Sequence, residues 1–174
     1  MHALGIIKRC TMAILNILKD EDPTLRKICR RVEEITPRTL TLLDDMADTM
    51  HKAGGVGLAA PQVGILRRIV VIETDESGLI ELINPQIIKT SDDMQEGYEG
   101  CLSLPGKWGI TSRPMTVTVR AQNRKGEFFE ITGSELLAKA FCHELDHLDG
   151  ILYPDVALHM LTREEMIEDG LIDG

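Results

Sequence analysis

Close to its C-terminal end the chain reads Phe141-Cys142-His143-Glu144-Leu145-Asp146-His147, and this run limits the fold more than any other. His-Glu-x-x-His sets two imidazoles four residues apart. On an α-helix they share one face, with Cβ atoms about 5–6 Å from each other. Leu136, Leu137 and Ala140 precede them at helical spacing, so the histidine side of the helix points inward. Buried imidazoles need partners, and a metal ion supplies them. The chain must therefore wrap a helix with a polar inner face. Glu144 stands beside the first histidine, where it can handle the protons of a water.

A length of 174 residues fits one domain. A chain near this size buries roughly 70% of its unfolded surface, so it needs no disulfide or partner to build a core. Aromatic residues make up only 3%, which predicts an aliphatic core of Ile, Leu, Val, Ala and Met. The hydrophobic fraction of 43% and mean hydropathy of -0.04 read as a soluble globular chain. A net charge of -9 and a pI near 5.0 argue against a general electrostatic grip on nucleic acid or on an anionic membrane. Arg26, Lys27, Arg30 and Arg31 form a local basic cluster, read as a solvated helix face. The cysteines Cys10, Cys29, Cys101 and Cys142 follow no disulfide framework. With no export signal or membrane span, the expected location is the reducing cytoplasm. Cys10 and Cys29 are read as small buried hydrophobes.

Asp22-Pro23-Thr24 predicts a turn into a short basic helix over Leu25–Val32. Thr36 and Pro37 predict the cap and first position of a second helix. Its apolar residues recur from Leu40 to Met50, and Gly54-Gly55 ends it. Arg68–Ile72 predicts a strand. Leu79–Ile88 predicts another, at an edge or kinked, because Asn84-Pro85 interrupts it. Met115–Ala121, the turn Asn123–Gly126 and Glu127–Ile131 predict a hairpin. Ser134 opens the helix that carries the two histidines to Gly150. Strands in the middle and helices at the ends predict an α+β fold, with small antiparallel or mixed sheets packed around a central metal-binding helix. Residues 161–174 form an acidic tail, one arginine against five carboxylates, expected as a short exposed helix that frays.

Two histidines leave a metal under-coordinated, since a catalytic zinc-like site takes three protein ligands and one open position. Downstream, Tyr153 stands where one common protease pattern has its third histidine. Asp149, Asp155 and His159 are the remaining candidates there. Upstream, Cys101 lies in Glu99-Gly100-Cys101-Leu102-Ser103-Leu104-Pro105, and its thiolate would complete a soft set suited to Fe(II), zinc, cobalt or nickel. Gly55-Val56-Gly57-Leu58-Ala59-Ala60-Pro61-Gln62 lets a ligand or a neighbouring backbone come close, though by itself it reads as a tight strand in a small-residue core. Three readings stand open on these residues: a hydrolase with an upstream cysteine ligand, a protease with a downstream ligand, and a metal-binding domain without catalysis.

Taken together the three segments resemble the peptide deformylase family, whose motifs have the forms Gly-φ-Gly-φ-Ala-Ala-x-Gln (φ apolar), Glu-Gly-Cys-Leu-Ser and Gln-His-Glu-x-Asp-His. They occur at Gly55–Gln62, Glu99–Ser103 and His143–His147, in the family's order, and the resemblance runs from about Met12 to Asp155. The middle motif is similar to the bacterial type I subclass. The resemblance implies a hydrolase that removes the formyl group from N-formylmethionyl nascent peptides and releases formate. It implies Cys101, His143 and His147 as ligands of one divalent ion, usually Fe(II), with zinc, nickel or cobalt as substitutes. It implies Glu144 as proton carrier, and the Gln62 side-chain amide and Leu102 N–H as donors to the formyl oxygen. It implies main-chain pairing of substrate near Val56, Gly57 and Gly100, with an apolar pocket for the methionine. Residues 1–174 then form one catalytic domain, with residues 1–11, before an ordinary family start at Met12, read as an N-terminal extension or as the product of an upstream start codon. The chain departs from the family at Cys142, which replaces the usual Gln, faces about 100° from the ligand side and is expected to alter packing. The acidic tail lacks the basic C-terminal helix by which some members dock, so any ribosome contact is transient and made elsewhere. Asp146 is expected to pair with Arg113.

Overall fold

Helix α1 (Pro37–Lys52) begins where its sequence demands. Thr36 accepts the N–H of Thr39, Pro37 occupies the first turn, and the helix ends before Gly54 at a φ of 69°. That left-handed conformation suits glycine, which lacks the Cβ that penalises it. The computed structural model describes residues 13–173, so the expected extension at residues 1–11 lies outside the described residues, and Cys10 with it. The remaining elements are β1 (Gly57–Ala59), β2 (Ile69–Thr74), β3 (Gly78–Thr90), β4 (Met94–Cys101), β5 (Leu104–Pro114), β6 (Thr116–Gln122), β7 (Phe128–Ser134), helix α2 (Glu135–Leu148), β8 (Ala157–Met160) and helix α3 (Arg163–Glu168).

The strands form two antiparallel sheets, ordered β1-β2-β3-β6-β7 and β4-β5-β8. Helix α2 packs on one face of the larger sheet. Ala138, Phe141, Leu145 and Leu148 meet Val70, Ile72, Leu82, Val117 and Val119 there. Helix α1 covers the opposite face, with Leu43, Met46 and Met50 against Ile69, Val71 and Ile83. Side chains alternate between the faces of a strand, so β2 serves both cores, which is why Ile69–Ile72 is apolar without a break. The fold is α+β with small sheets around a central helix, as the element pattern predicts.

Several local expectations differ from the structure. Residues 27–32 are not helical. A 3-10 turn at Pro23–Arg26 gives way to extended chain, because tertiary partners take its main-chain groups: Cys29 N–H donates to Leu148 C=O (2.8 Å) and Arg30 N–H to Leu66 C=O (3.2 Å). Strand β3 is kinked but central. Its pairing with β6 shifts between Ile83 and Gln86, which spans Asn84-Pro85, so the missing proline N–H falls at an irregularity instead of breaking a ladder. Asn84 stabilises the kink at a φ of 53° by bonding both main-chain groups of Val32. The acidic tail is anchored as well as exposed, since Met166 of α3 is buried. No helix among the described residues is long and apolar enough to cross a membrane.

Candidate active site

Strand β4 ends at Cys101, facing the inner side of α2. Cys101 Sγ and one ring nitrogen from each of His143 and His147 lie within 4.8 Å of one another. Cys101 Sγ is 3.3 Å from His147 Nε2, and the two ring centroids are 5.0 Å apart. Glu99 Oε1 lies 2.6 Å from His143 Nδ1, which leaves Nε2 as that ring's ligating atom. Burial acts to lower the His143 pKa, yet the hydrogen bonds that the ring donates to Cys101 and Glu99 carry it well above the ordinary imidazole value. A thiolate with two imidazoles is a soft donor set, so these residues fit a transition-metal ion.

Glu144 is buried beside this triad, and its Oε2 has no hydrogen-bond partner among the described residues. Burial pushes its carboxyl up to about 7. Gly57 leaves the room it needs: a Cβ there would stand 2.3 Å from Glu144 Oε1 and 2.7 Å from its carboxyl carbon. Gln62 sits in the 3-10 turn after β1. Its Oε1 accepts the Ala59 N–H (2.9 Å), and that orients Nε2 toward Ser103 Oγ (3.1 Å) and Cys101 Sγ (3.5 Å). All of this opens onto a cavity of about 370 Å³, lined by Val56, Gly57, Gly100 and Leu102 together with the apolar surfaces of Trp108, Leu136 and Ala140. The residues singled out in all three motifs therefore converge on one place.

The downstream candidates go elsewhere. Asp149 pairs with Arg68 (2.7 Å), Asp155 with Arg26, and His159 with Glu165 (2.9 Å). Tyr153 is buried with its ring stacked on His143, centroids 6.0 Å apart. Cys142 and Cys29 are buried in the main core, where burial pushes both thiols up to about 11.

The polypeptide deformylase family model matches residues 14–162. The chain belongs to the peptide deformylase family. It is 54% identical over 160 residues to a peptide deformylase of Agathobacter rectalis, covering 90% of this chain and all of the relative. Identity reaches 58% over 144 residues with that of Alkaliphilus metalliredigens, over 83% of this chain and 97% of the other. Among solved structures, a Legionella pneumophila peptide deformylase superposes with a TM-score of 0.80 at 42% identity, covering 91% of this chain and 92% of that one. One from Synechococcus elongatus, solved with actinonin, gives a TM-score of 0.80 at 34% identity over 90% and 88% of the two chains. As a peptide deformylase family hydrolase, the chain removes the N-formyl group from nascent peptides.

Sequence reasoning attached no role to the group that braces this deformylase site. Glu99 is buried and bonded by Arg113 through Nη2 (2.8 Å) and Nε (3.2 Å), and by the Thr111 hydroxyl (2.6 Å). Arg113 Nη1 reaches on to Asp146 (2.8 Å), which bears out the expected pair and ties the β4–β5 hairpin to α2. A signal existed. Alternation in an extended strand puts Glu99 on the same face as Cys101, and Thr111 on the same face as Arg113.

Proposed function

We propose that Cys101, His143 and His147 hold one divalent ion, Fe(II) before zinc, nickel or cobalt, and that the surrounding residues deformylate N-formylmethionyl peptides. When bound, such an ion supplies Lewis-acid chemistry that makes water reactive near neutral pH. Glu144 takes the proton from the attacking water and passes it to the departing amine nitrogen. A carboxyl near 7 suits both halves of that task. Gln62 Nε2 and the Leu102 N–H donate to the formyl oxygen as charge develops on it. Main-chain groups of Val56, Gly57 and Gly100 pair with the substrate as an added strand. The apolar wall of the cavity takes the methionine side chain. Formate and a free N-terminal methionine leave.

The chain acts as one catalytic domain in the cytoplasm. Contact with the ribosome is transient and does not use the C-terminal tail, whose acidic residues rRNA repels. The observation that carries this reading is the convergence of a thiol and two imidazoles within 4.8 Å, against a buried carboxylate oxygen with no partner among the described residues. An anaerobic assay of formyl-Met-Ala-Ser for formate, with casein alongside, tests it. Formate release without casein cleavage is expected. Casein cleavage without formate would overturn it.

A further inference from the structure

Residues 18–20 join the two segments that carry the proposed formyl-oxygen donors. Leu18 N–H donates to Gln62 C=O (2.8 Å), and Asp20 N–H donates to Ser103 C=O (3.0 Å). Ser103 Oγ in turn accepts from Gln62 Nε2 (3.1 Å), which closes a ring from the segment through Ser103 and Gln62 back to Leu18. Between the two main-chain bonds, Lys19 Nζ donates to Leu102 C=O (3.2 Å). The Asp20 carboxylate pairs with Lys107 (2.5 Å), itself on the cavity wall. The Leu18 side chain packs into the small core beneath, which includes Leu104, Tyr153 and Cys101.

The Leu102-Ser103 turn lies just beyond a bulge. The β4–β5 ladder shifts register between Glu99 and Cys101 and a single Cys101–Leu104 pair closes the turn, so the bonds from residues 18–20 add to what holds the Leu102 peptide. Residues 13–19 form no helix or strand. Their main-chain groups are therefore available to hold this turn and the Gln62 turn at one spacing.

We propose that Leu18–Asp20 is a positioning strap that fixes the Gln62 amide relative to the Leu102 N–H, with Lys19 as its positioning side chain. This rests on the reading of those two groups as donors to the formyl oxygen. A donor placed slightly off the developing charge loses much of its effect, while ground-state binding changes little.

The test compares Lys19→Met with Lys19→Arg in the metal-loaded protein on formyl-Met-Ala-Ser. Lys19→Met is expected to lower kcat about three- to tenfold with KM within about twofold, and Lys19→Arg to restore most of it. Hydrogen exchange over residues 101–105 should quicken in Lys19→Met, with Tm within about 2 °C of the parent for so exposed a residue. In a Gln62→Ala background, Lys19→Met should cost less than it does in the parent, because one of the two donors that the strap spaces is already gone. Unchanged kcat and exchange in Lys19→Met, or full additivity with Gln62→Ala, would reject the strap. If Gln62→Ala alone keeps full kcat, the donor assignment fails first and the strap's catalytic role falls with it.

Discussion

Glu144 and Gly57 show how closely the site is built around one carboxylate. Glu144 is almost fully buried, yet its Oε2 has no partner among the described residues, so its orientation is left for substrate and water to complete. Replacing it with Gln keeps the shape and removes the proposed proton carrier. Glu144→Gln should therefore bind metal as the parent does and lose about 10²–10⁴-fold in kcat, as formate release beside metal analysis would show. Gly57→Ala attacks the same group from the other side. The new Cβ would meet the Glu144 carboxyl carbon at 2.7 Å and its Cγ at 2.8 Å, and the crowded carboxylate must turn away. That variant should keep its fold by circular dichroism and its metal, but lose kcat by about tenfold or more; full activity would show that the close approach is incidental. At this scale the sequence was most legible. Histidines four apart on a helix and a Cys between glycine and an apolar strand each carry a chemical meaning, whereas the segment ending at Gln62 reads by itself as a tight strand and takes its role from the family resemblance. The orientation of Gln62 was not legible, because Ala59 N–H and Ser103 Oγ set it, and Ser103 lies 41 residues away.

The elements differ in how far local sequence governs them. Helices α1 and α2 and the β6–β7 hairpin follow from caps, turns and period, all local signals. Strands β4 and β8 escaped the sequence reading, and β5 beyond its first residues, because β4 and much of β5 are polar and glycine-containing and form only by pairing across the hairpin. The segment over residues 27–32 reads as a helix yet runs extended, since Leu66 and Leu148 claim its main chain. What holds the polar hairpin to α2 is the Glu99–Arg113–Asp146 network. Burial alone would raise the Glu99 pKa, but hydrogen bonds from His143 and Arg113 outweigh it and hold the carboxyl at about 2. A carboxyl depressed from its ordinary 4.5 stabilises the fold fully above that value, and the contribution fades as pH falls toward 2. In chelator-treated protein, urea unfolding should therefore show the parent more stable than Glu99→Gln at about pH 6, with the gap narrowing by about pH 3. A gap that stays constant across that range would mean that Glu99 does not stabilise the fold as a charged group. Arg113→Met should cost about 3–5 kcal/mol at neutral pH by leaving Glu99 buried without its guanidinium.

At the scale of the molecule, two sheets with α2 between them present a thiol and two imidazoles to one another, and the stability of the fold should be linked to what they hold. Composition foretold the aliphatic core, and the order of strands and helices foretold the α+β class. Of the charges that fasten α2 to the second sheet, the Asp146–Arg113 pair was expected from the sequence, whereas Glu99 was not, because its partners are set only by the fold. Binding that favours the folded chain adds stability in proportion to the logarithm of ligand over Kd, about 4 kcal/mol at a thousandfold excess. For a chain of this size each kcal/mol moves Tm by about 2–4 °C, so chelation should lower Tm by roughly 8–16 °C. The variants then divide by mechanism. Cys101→Ala removes one of three donors and should unfold at the same temperature with or without chelator, because two imidazoles alone hold the ion weakly. Glu144→Gln keeps all three donors and should show the parent's full shift while remaining inactive. Calorimetry on the three proteins, each with and without chelator, separates holding the ion from using it. A parent Tm indifferent to chelation would remove Cys101, His143 and His147 from the role of ligands. A full chelation shift in Cys101→Ala would move the third ligand away from the thiol.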